Sequence, residues 1–326
     1  MKANTPVFIL LTMATTLFTI TSTNSMFMWM MMELNMLTFI PLICLEKSTT
    51  EADISLKYLI PQSLASSLFM LSIILSTFGP FSKALASTAL LMKAGSVPMH
   101  TWFPVVMYSM NMLAGFTLMT WQKIVPLFLL SIPQLSFTPL ILISALMSAL
   151  WGSIAGLNQT NIISMLTFSS IAHLSWLISA SLLSIKALSM YLMSYALTLL
   201  PIFMAMNISN MKTHKTAMCG MMEKHLQIAL ALSLLSLAGL PPLAMFSNKI
   251  IVIYLMNKTI MMLILLFMLL SAAISLYFYV ILVFTMMFDF SMPLESTNKM
   301  TSPKMVCILS FLFQLSPLFL SLYPLF

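Results

Sequence analysis

Apolar stretches of about 20 residues follow one another along almost the whole chain, and this pattern constrains the fold more than any other feature. A helix needs about 20 apolar residues to cross a bilayer. Read with that ruler, the sequence predicts eleven spans, at 6–24, 25–45, 56–78, 82–104, 108–131, 137–157, 160–183, 187–207, 225–257, 259–288 and 304–325. The ninth is too long for one straight crossing and contains Gly239, Pro241 and Pro242, so it reads as two half-helices joined by a break. Charged residues make up only 6% of the chain. A water-facing surface needs about 25%, so lipid must be the solvent. The expected fold is an all-α polytopic membrane protein, 1–326, forming one bundle without separable domains.

The charge pattern excludes several function classes. All 14 basic residues are Lys, they are scattered, and Arg is absent. Phosphate readers cluster their charges and favour Arg, so nucleic acid is a poor fit. Cys44, Cys219 and Cys307 lie far apart and form no metal or redox spacing, which reads as packing. No glycine-rich nucleotide loop, nucleophile elbow or haem motif occurs. Any energy source must therefore be a gradient or a partner. Lys2 begins a faint basic leader, but no small-residue cleavage site follows the first apolar run. The 35 methionines read as codon bias, since Met replaces Leu or Ile in lipid at little cost.

Loop lysines set an orientation. One side carries Lys2, Lys47, Lys57, Lys212, Lys215, Lys224, Lys299 and Lys304, against Lys83, Lys186 and Lys258 on the other. The excess places the N-terminus on the positive side, the cytoplasm or the mitochondrial matrix. An odd number of spans then puts the C-terminus opposite.

Two segments echo each other. "AGSVP" (Ala94 to Pro98) lies in span 4 and "AGLPP" (Ala238 to Pro242) in span 9. Proline removes an N–H and glycine weakens the turn, so each should break its helix. Five spans separate them, so the two enter the membrane from opposite sides. Broken helices at matching places in an inverted repeat point to a transporter's ion site. The repeats would be 6–131 and 137–288, with a terminal helix at 304–325.

Ionisable residues inside the spans carry the chemistry. Glu33 lies in "MFMWMMMELNML", Lys93 immediately before the first break, Lys123 in "TWQKIVP", Lys249 just past the second break, and His173 in "SSIAHLSW". One acid and three lysines at mid-membrane cost about 10 kcal/mol if unpaired. The chemistry they suit is a proton relay. A carboxylate 4 Å from a lysine, at an effective dielectric near 20, is worth about 4 kcal/mol. Glu33 close to Lys93 would hold the lysine's proton, and Glu33 withdrawn would release it. Bland readings stand beside this one. They are a static salt bridge for Glu33 and Lys93, interfacial snorkelling for Lys123 and Lys249, and a satisfied core residue for His173 and for His100. His214 and His225 read as solvated loop residues.

The segments "STNSMFMWMMMELNMLTFIPLI", "LMKAGSVPMHTWFP", "TWQKIVP", "GLNQT", "SSIAHLSW" and "LAGLPPLAMFSNK" occur in an order that resembles the NADH dehydrogenase subunit 2 family of animal mitochondria, antiporter-like membrane subunits of respiratory complex I. The resemblance runs from about residue 20 to 285. It implies the short animal form, which lacks three N-terminal helices of its bacterial relatives, with the N-terminus in the matrix and the C-terminus on the intermembrane-space side of the inner membrane. It implies that Glu33 partners Lys93, the lysine of the first broken helix. Lys123 would be the central-axis lysine, His173 an axis histidine, and Lys249 the lysine that leads onward. It also implies coupling of NADH oxidation by ubiquinone to proton pumping. NADH, FMN, iron–sulfur clusters and ubiquinone would be held by other subunits and no cofactor by this chain. Partners would be the other membrane and accessory subunits, with lipids such as cardiolipin.

The sequence departs from the family pattern at three places. Val105 follows "WFP" where an acid is common, Ile163-Ser164 stand where a basic pair is usual, and Ser175 replaces a glycine. The first two put any contact made by those charges in doubt, while the mid-membrane set is intact. Two other readings compete: a stand-alone cation/proton antiporter, which should need more mid-membrane carboxylates than Glu33, and a non-pumping scaffold.

Overall fold

The computed structural model describes residues 5–45, 48–209, 224–241, 243–258 and 261–288. The expected terminal span at 304–325 lies outside the described residues, as do Lys2, Lys47, Lys212, Lys215, Lys299 and Lys304 of the orientation argument. The described residues form thirteen α-helices. They are α1 (Thr5–Thr21), α2 (Ser25–Ile43), α3 (Thr49–Ile74), α4 (Pro80–Ala94), α5 (Trp102–Ser109), α6 (Met112–Met119), α7 (Ile124–Leu130), α8 (Thr138–Leu157), α9 (Ile162–Leu183), α10 (Ile185–Ser209), α11 (Lys224–Ala238), α12 (Ala244–Asn257) and α13 (Met262–Phe288). Seven stretches among them are long and apolar enough to cross a membrane, α6 and α7 counting together as Met112–Leu130. Helices α1, α11 and α12 are apolar but shorter. Large apolar side chains such as Leu263, Leu266, Leu270, Ile281 and Phe284 of α13 are exposed on the outside, as a lipid-facing helix requires.

Local chemistry sets the boundaries. The polar turn before residue 25 ends α1, and the Asn24 side chain accepts from the Met26 N–H at 3.0 Å to start α2. Helix α3 begins at Thr49, seven residues earlier than the apolar pattern suggests, because Ser48 caps it. The Ser48 hydroxyl accepts from the Glu51 N–H at 3.2 Å, and Ser48-Thr49-Thr50-Glu51 is a capping-box sequence. The span expected at 82–104, with its break at Ala94–Pro98, becomes α4 and α5, and the span expected at 108–131 becomes α6 and α7. Between α6 and α7 runs a 3₁₀ turn, Trp121–Lys123. Pro126 explains its place: it has no N–H for the Gln122 carbonyl four residues back, and its ring crowds that carbonyl.

The chain folds as two compact units. The first holds the residues up to Ser148 together with Leu177–Ile185. The second holds Ala149–Trp176 and the residues from Lys186 onward. In the first, α2 packs on α1 and α3, α3 on α4 and α5, and α7 on α1 and α4. Threonines 12, 15, 16 and 19 form a buried stripe on α1. Their hydroxyls donate to carbonyls three residues back, and Thr16 also accepts from the Trp121 indole at 3.1 Å. In the second unit α11, α12 and α13 pack together. There Gly152 of α8 lies so close to α9 that a Cβ would sit 2.6 Å from the Ala172 nitrogen. Small residues at helix contacts are how helices approach closely where lipid removes the hydrophobic drive.

Candidate functional site

Both helix breaks have the same construction. Helix α4 stops at Gly95, whose φ is +76°, a left-handed value that costs little only without a Cβ. The Gly95 N–H donates to the Met92 carbonyl at 3.2 Å and the Ser96 N–H to Leu91 at 3.1 Å. Helix α11 stops at Gly239, φ +84°, with Gly239 donating to Ser236 at 3.0 Å and Leu240 to Leu235 at 3.4 Å. These are paired 5→2 and 6→1 bonds of one helix-ending motif, built twice from Ala-Gly.

The carbonyls released at each break are taken up by protein. At the end of α4, Leu91 also accepts from the Ser96 hydroxyl at 3.1 Å, Met92 from the Trp102 indole at 3.2 Å, and Lys93 from the Gln62 amide at 3.4 Å. At the end of α11 the Ala238 carbonyl accepts from the Lys249 ammonium at 3.0 Å. At both breaks, then, at least one released carbonyl is capped by a side chain. Trp102, Gln62 and Lys249, from neighbouring segments, are such caps.

In the first unit, Lys93 and Lys123 open onto one cavity. Asn35, Tyr58, Gln62 and Gln122 supply its polar lining, and Trp102 and Phe103 part of its apolar wall. It has room for about one water. Lys93 reaches it from the last turn of α4, held against the break. Lys123 reaches it from the 3₁₀ turn, 2% exposed, with Nζ 5.2 Å from the centre of the Phe103 ring. Asn35 and Gln122 pair directly in its lining. Asn35 Nδ2 donates to Gln122 Oε1 at 3.0 Å, and Gln122 Nε2 donates back to Asn35 Oδ1 at 3.3 Å. Tyr58 is held edge-on between Phe39 and Trp102, with ring centres at 5.1 and 6.0 Å. Glu33 is half-buried on α2 and does not line the cavity.

The second unit holds His173 and Lys249. His173 is buried on α9, with Nδ1 2.9 Å from the Tyr191 hydroxyl and its ring 5.4 Å from that of Tyr195. Lys249 is buried on α12. It folds back over Gly239 to the Ala238 carbonyl, with Nζ 6.0 Å from the centre of the Trp176 ring. A Cβ on Gly239 would lie 2.8 Å from the lysine nitrogen. The positive charge thus sits on the C-terminal end of α11, where the helix dipole favours it. Beside it Asn248 donates to the Ser194 hydroxyl at 2.6 Å. His100 is half-buried in the turn after the first break, Nδ1 3.3 Å from the Pro98 carbonyl.

Sequence reasoning that looked for charges passed over Asn35, Gln62, Gln122, Tyr58, Tyr191 and Trp176. A signal was present for the amides, since "MELNML", "IPQSL" and "TWQKIV" place neutral polar groups inside apolar runs. A buried amide without partners is itself costly and marks a site. It also passed over Glu51, which is buried and accepts from the Asn111 amide at 2.7 Å, joining the start of α3 to the start of α6.

Comparison with known proteins gives the arrangement a context. Residues 80–275 match the family model described as "NADH:quinone oxidoreductase/Mrp antiporter, TM". The chain is 33% identical over 319 residues to the NADH-ubiquinone oxidoreductase chain 2 of Lumbricus terrestris, covering 95% of this chain and 93% of that one. It is 35% identical over 292 residues to the protein of the same name from Anopheles gambiae, covering 86% and 84%. Its fold is similar to a chain in the structure of respiratory complex I from Thermus thermophilus with bound aureothin, with a TM-score of 0.82 at 20% identity over 97% of this chain and 77% of that one.

Proposed function

The chain belongs to the NADH-ubiquinone oxidoreductase chain 2 family, and from that premise we propose that it is the proton-translocating membrane subunit of respiratory complex I in which Glu33, Lys93, Lys123, Lys249 and His173 pass protons. The observation that carries the relay is the cavity shared by Lys93 and Lys123 in the first unit. Two amines that open onto one small polar space can exchange a proton through a single water. Two buried amines with no such space would only repel. In this reading Glu33 on α2 biases Lys93 on α4, so a small movement of one relative to the other changes how firmly Lys93 holds its proton. In the second unit Lys249 and the His173–Tyr191 pair are the groups able to carry a proton onward.

The energy comes from outside the chain. Moving one charge against 100 mV costs about 2.3 kcal/mol. In this reading, subunits that hold NADH, FMN, iron–sulfur clusters and ubiquinone release that energy. Neighbouring membrane and accessory subunits transmit it, with lipids such as cardiolipin filling the surface between them. The chain lies in the mitochondrial inner membrane with its N-terminus in the matrix and its C-terminus toward the intermembrane space.

The test is Lys93→Met and Glu33→Gln in the assembled complex, reconstituted in vesicles and followed with a pH-sensitive dye during NADH oxidation. Lys93→Met should abolish most proton translocation and Glu33→Gln should reduce it. A full proton yield per NADH in both variants, at normal assembly, overturns the relay.

A further inference from the structure

The reciprocal amide pair Asn35–Gln122 lines the same small cavity as Lys93 and Lys123 in the first unit. We propose that this pair is a positioning element that holds the water through which a proton crosses between Lys93 and Lys123. The inference rests on the relay reading.

Geometry carries it. Each side-chain amide has two N–H donors and two carbonyl lone pairs. The pair uses one donor and one acceptor from each partner, leaving an N–H and a lone pair on each side. Asn35 is 6% exposed and comes from α2; Gln122 comes from the 3₁₀ turn and is the residue next to Lys123. Both line the cavity with Lys93 and Lys123, and the space admits about one water. A buried water makes about three hydrogen bonds. Here one amide N–H to its oxygen and one of its hydrogens to an amide carbonyl fix its orientation. One hydrogen and one lone pair of the water are then left for the two lysines that line the same space.

The step balances without any other reactant. The Lys93 ammonium gives a proton to the water, and the water gives a different proton to the neutral Lys123 amine. One N–H bond breaks, one forms, and the water is regenerated. The amides donate and accept hydrogen bonds only and exchange no proton. A Gln122 that clamps Asn35 also fixes the turn that carries Lys123, which Pro126 has already loosened from the regular helix.

A clamp that only joins α2 to the turn is separable from a clamp that positions a water. Replacing both partners of a buried bond by apolar groups of matching shape is nearly neutral for stability. Asn35→Leu combined with Gln122→Met does this, and the exchanged pair Asn35→Gln with Gln122→Asn keeps both amides. In the assembled complex in vesicles, the apolar pair should lose most proton translocation, while the exchanged pair should keep it. Full translocation in the apolar pair overturns the inference, as does equal loss in both pairs. If the apolar pair fails to assemble, Asn35→Asp decides. It keeps the bond from Gln122 Nε2 but sets an anion against the lysines, so transfer should slow, and an unchanged rate overturns the inference. Lys93→Met and Lys123→Met serve as controls in the same vesicles. If they too translocate fully, the relay itself fails. If they fail while the apolar pair succeeds, only the role of the amides falls.

Discussion

Gly239→Ala and Gly95→Ala should separate two roles that glycine plays at the breaks. Both residues have left-handed φ, +84° and +76°. A Cβ in that region costs about 1–2 kcal/mol, so both variants carry the same backbone strain. The added methyl meets different neighbours. At Gly95 the nearest atom is the Phe103 Cβ at 3.4 Å, an ordinary contact. At Gly239 it is the Lys249 nitrogen at 2.8 Å, with Cδ and Cε both at 3.3 Å. The lysine is flexible, so the side chain gives way before the helix does. In moving it leaves the Ala238 carbonyl, which it now bonds at 3.0 Å. A hydrogen bond from a charged donor contributes about 1.5–3 kcal/mol. The excess at Gly239 therefore shifts the population with Lys249 in place by roughly one to two orders of magnitude. The assay is proton uptake per NADH oxidised by vesicles holding equal amounts of assembled complex, alongside the heating temperature at which the complex dissociates. Both variants should dissociate at lower temperature, and Gly239→Ala alone should also lose proton yield. Equal proton yields in the two variants would show that the position of Lys249 does not depend on the bare glycine.

Tyr191→Phe removes the partner of His173 Nδ1 and little volume. Assembly should hold while the rate of proton transfer, read with the same dye, falls; an unchanged rate removes His173 from the relay and returns it to the core. Gly152→Ala puts a methyl 2.6 Å from the Ala172 nitrogen and 2.8 Å from the Phe168 carbonyl oxygen. Backbone cannot step aside as a side chain can, so α8 must leave α9. The amount of assembled complex on a native gel should fall sharply, well below that of Ala155→Gly one turn along.

The long apolar spans were legible because lipid leaves only one way to read 20 apolar residues in a row. The breaks were legible because Gly and Pro act locally. The family motifs then led to the relationship that the matches at 33% and 35% identity bear out. Less visible was the fate of the carbonyls at the breaks. That depends on Gln62 and Trp102, on α3 and α5, whose approach to the end of α4 only folding decides. The 3₁₀ turn under Lys123 followed from Pro126, but proline inside a span also occurs without such a turn: α2 runs through Pro41 and α3 through Pro61. The start of α3 was missed for another reason. Apolar periodicity says nothing about a first turn that lies outside the apolar run, where the Ser48 cap and not burial decides.

The repeated break motif has a consequence for how the two lysines can work. In each case an Ala-Gly pair ends a helix with the same two bonds, yet the lysine stands on opposite sides of the stop. Lys93 precedes Gly95 and belongs to the helix that ends, so its backbone is fixed by the cap while its amine is left to open onto a cavity. Lys249 follows Gly239 and belongs to the next helix, and its amine is itself the cap on the Ala238 carbonyl. A proton leaving Lys93 costs its helix nothing in hydrogen bonds. A proton leaving Lys249 removes the positive charge that sits on the end of α11, and the favourable interaction of about 0.3–1 kcal/mol that such a charge makes with a helix dipole goes with it. The same local fold thus leaves the Lys93 amine outside the helix-ending bonds and makes the Lys249 amine part of them. Lys93 stands in the last turn of α4, so both charges are favoured by a helix C-terminus, and Lys249 is the one of the two that also bonds a carbonyl there.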